Sequence, residues 1–147
     1  MGAHPREITK AEHDLGAMFA RTEANEAARD AFALFATMGL PHRRVEAWHY
    51  TDLRARLAEI APLAKAPSAE IVGQIESELD ARSVDAPRIV FVDGRFAAGA
   101  SRLGALPHGV SVRQSDEAPA WPEVAREEAT IALNAAFAMS ATVIEIA

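Results

Sequence analysis

Between Pro41 and Thr51 the chain crowds two histidines, two arginines, a glutamate, a tryptophan and a tyrosine into one short stretch. In a helix, His42, Glu46 and His49 would stand at i, i+4 and i+7 on one face, with Asp52 close by. Two imidazoles and a carboxylate so placed could take a divalent metal such as iron or zinc, as a facial triad does, which makes a small metal-binding or iron-delivery module the alternative function. The spacing is not HExxH, however, and Pro41 together with the crowded Trp48-His49-Tyr50 works against a regular helix. Exposed, solvated histidines are the competing expectation. Arg43 and Arg44 beside Glu46 open a second chemistry, since a guanidinium fork matches a carboxylate or a phosphate. The stronger reading is structural: one arginine pairs with Glu46, the other stacks on Trp48 or Tyr50, and the segment becomes a rigid corner. Trp48 is then an anchor in the core, its indole N–H on a carbonyl.

Elsewhere the chemistry is sparse. His4, His13 and His108 stand singly on polar or turn segments. Asn134 lies in the apolar run from Ile131 to Met139, where burial would require its amide to find a neighbouring backbone partner. There is no P-loop, GxGxxG, nucleophile elbow or Ser/His/Asp spacing. The absence of cysteine excludes disulfides, thiolate catalysis and an iron-sulfur cluster ligated by this chain's own thiolates. No catalytic residue and no bound cofactor are expected here.

The elements that would position the corner begin with a helix over 10–21, announced by the Thr9/Glu12 capping box and by Leu15, Met18 and Phe19. Asn25 caps a second helix that carries Ala28, Phe32, Phe35 and Met38 on one face and stops at Gly39. Leu53, Leu57 and Ile60 suggest a short amphipathic helix after the corner, and Ser68 with Ile71, Val72, Ile75 and Leu79 a longer one. Residues 88–98 then read as a hairpin, because Asp93-Gly94 suits the two positive φ angles of a type I′ turn. Val110 to Val112 is a candidate third strand. Trp121-Pro122 opens a last helix, with Glu123, Glu127 and Glu128 at its positive end, and Thr142 to Ala147 reads as a strand without an evident partner. Helices followed by strands, with no repeating βαβ unit, make the fold class α+β.

A chain of 147 residues is one domain long, and half its residues are hydrophobic, many of them alanine. The net charge of −6 argues against a nucleic-acid or anionic-membrane surface as its purpose. Residues 1–10 lack the apolar stretch of a secretory signal, and the longest uncharged run, 129–144, is too short and too polar to span a bilayer. Cytoplasm is the expected compartment.

The string Gly39-Leu-Pro-His-Arg-Arg-Val-Glu-Ala-Trp-His-Tyr-Thr-Asp-Leu53 closely resembles the signature of the SufD members of the SufBD family of iron-sulfur cluster assembly proteins. The hairpin Ile89 to Phe96 and the passage from Leu133-Asn-Ala-Ala-Phe137 to Val143-Ile-Glu-Ile146 agree with that family in the same order. Such a resemblance implies a mostly helical N-terminal domain over 1–140, with a right-handed parallel β-helix beginning at 141–147. The chain would then stop inside the first β-helix strand. It implies partners SufB and SufC, the cluster handled by the full SufBCD complex and ATP by SufC, with none of the iron-handling residues on this chain. Arg43, Arg44, Glu46, Trp48, Tyr50 and Thr51 match the motif, with a structural role expected for them; His49 stands where lysine is common. SufB has a longer and differently arranged N-terminal region, which favours SufD. The function expected is that of a non-catalytic domain of an assembly scaffold, with a homodimer through the open end strand a further possibility.

Overall fold

A computed structural model describes residues 6–82, 86–115, 127–138 and 140–147. The chain divides into two units, 1–62 with 117–139 and 63–116 with 140–147, and each is described by itself. Their elements are α+β, as expected, with two small antiparallel sheets among the described residues.

The first unit is helical. Helix α1, Lys10–Phe19, starts on the complete capping box: Glu12 N–H donates to Thr9 Oγ1 at 3.2 Å and Thr9 N–H to the Glu12 carboxylate at 2.7 Å. It ends two residues before Arg21, because both the N–H and the hydroxyl of Thr22 turn back onto the Phe19 carbonyl. Helix α2, Glu26–Met38, begins where Asn25 Oδ1 accepts the Ala28 N–H at 2.8 Å. It stops at Gly39, whose φ of 70° favours glycine. Helix α3 is the short Leu53–Arg56, capped by the Asp52 side chain.

Helix α5, Ala129–Phe137, completes the unit, packed against α2. Its Ala132, Ala135 and Ala136 are buried, and such small side chains let two helices approach closely. Phe35 and Leu40, each 2% exposed, form the centre with Leu15, while Leu53, Leu57 and Ile60 pack on its margin. Phe32 stacks on Phe19 with centroids 4.2 Å apart, and Phe137 meets Phe19 edge-on. Asn134 lies on the exposed side of α5, so its amide is not buried and does not require the neighbouring backbone partner expected for it. The proposed start at Trp121-Pro122, with Glu123, lies outside the described residues.

In the second unit, helix α4, Ala69–Ala81, has its N-terminus capped by Ser68 Oγ. Its Val72 and Ile75 pack on the buried cluster of Val92, Ala97 and Ala100. Strands β1, Phe91–Val92, and β2, Arg95–Phe96, form the expected hairpin, with φ of 49° at Asp93 and 77° at Gly94.

The remaining strands correct two expectations. Strand β3, Val110–Ser115, does not join the hairpin, whose strands are two residues long and offer little edge. It pairs antiparallel with β4, Ala141–Ile146, in a register that sets Val110 opposite Ile146 and Val112 opposite Ile144. Ala147 N–H extends the ladder to the Gly109 carbonyl at 2.8 Å. The end strand thus has a partner within the chain, which removes the premise that it lacked one. Among the described residues, no helix is long and apolar enough to cross a membrane.

Candidate functional site

Leu40 and Pro41 are buried immediately after α2, and the chain must reverse there because Pro41 cannot continue the helix. Leu40 N–H donates to Glu12 Oε1 at 2.7 Å, and Arg54 N–H to the Pro41 carbonyl at 3.0 Å, so both ends of the corner are tied to helices. Between them, Val45 N–H bonds the His42 carbonyl, Trp48 N–H the Val45 carbonyl and Thr51 N–H the Trp48 carbonyl. Each of these bonds spans three residues, and Glu46–Trp48 is a single 3₁₀ turn.

That backbone differs from the one the metal reading assumed. The helical face needed to align His42, Glu46 and His49 does not form. His42 Nδ1 accepts the Arg44 backbone N–H at 3.1 Å, while the His49 ring sits 3.6 Å from that of Tyr50 and meets the Glu46 carbonyl through Nδ1. Among the described residues no group of three His, Asp or Glu side chains is placed to hold a metal ion.

The corner itself is present, but its expected internal pairings are not. Glu46 takes neither arginine, and among the described residues the Arg43 and Arg44 side chains have no hydrogen-bond, ion-pair or ring partner. Both are exposed, as are Glu46 and Thr51, and Tyr50 is 92% exposed. Trp48 is half-buried, and its indole N–H points to the Glu128 carboxylate at 3.4 Å instead of a backbone carbonyl. A groove of about 580 Å³ opens beside the turn, lined by His42, Arg43, Arg44 and Arg54 with Glu7 and Asp52 on its walls. The Arg54 guanidinium holds the Glu7 carbonyl, and Asp52 is engaged as the α3 cap. The free cationic capacity of the groove therefore belongs to Arg43 and Arg44.

Beneath the corner lies a residue whose second task had no sequence signal. Glu12 is buried, and besides closing the capping box it accepts from Arg6 Nη1 at 2.5 Å and from Leu40 N–H, 28 residues away. Burial by itself raises its carboxyl pKa, but the Thr9 and Leu40 N–H donors and the Arg6 guanidinium outweigh burial and hold it below the ordinary value. A side chain at position 39 would overlap both Arg6 and Glu12. The sequence showed the local half of this junction as Thr9-x-x-Glu12 and gave no sign of the distant half.

No curated protein matches the chain. The model of the SufBD protein N-terminal region matches residues 10–147, which takes in α1, the corner, the hairpin and β4. With nearly its whole length accounted for by that one model, the chain belongs to the SufBD family, as its N-terminal region.

Proposed function

We propose that the chain is the N-terminal, non-catalytic domain of a SufD-like subunit in the SufBCD scaffold for iron-sulfur cluster assembly, acting in the cytoplasm through protein contacts. The observation that carries this reading is the division of labour in the corner. Leu40, Pro41 and the Glu12 junction hold the fold, while Arg43, Arg44 and Tyr50 project polar and aromatic surface without converging on a reaction centre. Among the described residues Glu12 is the one buried charged side chain, and its bonds all join elements of the first unit. Such a layout suits docking better than acid–base work, which needs a titratable group held in a cleft with its pKa moved toward neutrality. The SufD assignment over SufB rests on the Gly39–Leu53 string. Cluster assembly and ATP turnover fall to the rest of the complex, with SufB and SufC as partners and no cofactor resident on this chain.

Co-expression of the full-length protein with SufB and SufC tests this. A stoichiometric complex by light scattering, and a protein that alone neither hydrolyses ATP nor keeps iron or zinc through desalting, is the expected result. A protein that stays apart from SufB and SufC would overturn the reading. So would one that retains stoichiometric metal, with His49→Ala weakening it about tenfold.

A further inference from the structure

We infer that the outward half of the corner is a docking surface for an acidic, carboxylate-bearing segment of a protein partner. The inference rests on the docking role proposed above and names the surface that performs it. Arg43 and Arg44 line one groove and, among the described residues, neither side chain has an intramolecular partner. Two adjacent guanidinium groups left in water are poor contributors to stability but ready bidentate hosts for carboxylates. Val45 and Tyr50, 42% and 92% exposed, add apolar and aromatic surface to the same 41–51 segment. Arginine and tyrosine are the residue types that dominate binding energy at protein interfaces. The backbone below is fixed by successive hydrogen bonds over 45–51, which lowers the ordering cost of binding.

The groove's own charges select among anions. At about 580 Å³ it is far larger than a single inorganic ion, so it fits a length of chain. Glu7 and Asp52 on its walls would repel a phosphodiester backbone, and a chain with 21 acidic against 15 basic residues lacks the positive field that nucleic acids require. A peptide carrying spaced carboxylates can place them on Arg43 and Arg44 and keep them away from both walls.

The test is a titration of the full-length protein with fluorescein-labelled oligoglutamate, with oligoglutamine and oligothymidylate of equal length as comparison probes. Oligoglutamate is expected to bind, with an affinity that falls with salt, and oligoglutamine is not. Arg43→Glu/Arg44→Glu should weaken oligoglutamate binding by at least about tenfold, and Arg43→Gln/Arg44→Gln should act in the same direction. The charge-matched control Arg21→Glu/Arg82→Glu should leave binding unchanged. All variants should keep the native thermal midpoint, since none of the four side chains is buried. Binding unaffected by the double substitution, equal weakening by the control, or oligothymidylate binding as tightly as oligoglutamate would each overturn the inference. If oligoglutamate behaves as expected while SufB and SufC do not assemble, the surface stands and the scaffold assignment falls. If they assemble but oligoglutamate does not bind, the reverse holds.

Discussion

Phenylalanines hold the helices of the first unit together: Phe32 is in ring contact with Phe19, Phe35 and Phe137, Phe19 also meets Phe137, and Phe35 is buried with Leu15 and Leu40. Among the described residues the buried cluster of the second unit holds no ring: it is Val92, Ala97 and Ala100, with Val72, Ile75 and Val90 packed against it. What the second unit lacks in apolar area it supplements with directional polar contacts. Asp80 bridges Arg88, at 2.6 Å, and Arg102, whose backbones pair with each other, and Arg88 Nε donates to the Ala100 carbonyl at 2.9 Å. Aromatic burial is strong and tolerant of solvent conditions, whereas half-exposed ion pairs are weak and screened by salt. The two units should therefore respond differently to substitution.

The largest effect is expected at Phe35. Truncation to alanine removes a fully buried ring from the centre of the first unit and should cost about 3–5 kcal/mol in urea unfolding. A loss below about 1 kcal/mol would mean that the neighbouring rings close the cavity, and the contrast between the units would lose its basis.

Glu12→Ala comes next, at about 2–3 kcal/mol, because it strands the Leu40 N–H and takes the partner from Arg6, which is partly exposed and can be rehydrated. The folded carboxyl titrates below its ordinary value of 4.5, so its stabilisation is fully present above that pH and is lost as pH falls through the folded value. The stability gap between wild type and Glu12→Ala, measured at about pH 7 and again at about pH 3, should shrink in acid. A gap that stays constant would show that Glu12 acts by packing alone.

Smallest is Asp80→Ala in the second unit. Its carboxylate is about a third exposed, so the loss should be about 0.5–1 kcal/mol and should diminish in high salt. Hydrogen exchange at the Arg88 and Arg102 amides should quicken with it, as the bridge between those segments loosens. A loss as large as that of Phe35→Ala would mean that the ion pairs, not the apolar cluster, hold this unit.

Much of the fold was legible because the signals were local. Thr9-x-x-Glu12, Asn25, Gly39, Ser68 and Asp93-Gly94 each act on a backbone group within about four residues, and each occurs in the structure as read. The pairing of β3 with β4 was not legible. Strand 110–115 shows a mixed pattern, its partner lies beyond α5, and no turn residue announces a register set across such a distance. The candidate site divides in the same way. Pro41 marked the corner, but where the side chains of Arg43, Arg44 and Trp48 would go depended on what else came near. What came near Trp48 was Glu128, 80 residues away.

The sequence by itself determined where helices start and stop, the type I′ hairpin and the reversal after α2, since capping, proline and positive φ are properties of neighbouring residues. Tertiary structure alone decided that Glu12 also seals Leu40, that β4 pairs with β3 and that the Arg43 and Arg44 side chains, among the described residues, have no partner on their groove. Those outcomes depend on which distant groups compete for the same hydrogen bonds and the same space. No local pattern of residues encodes that competition.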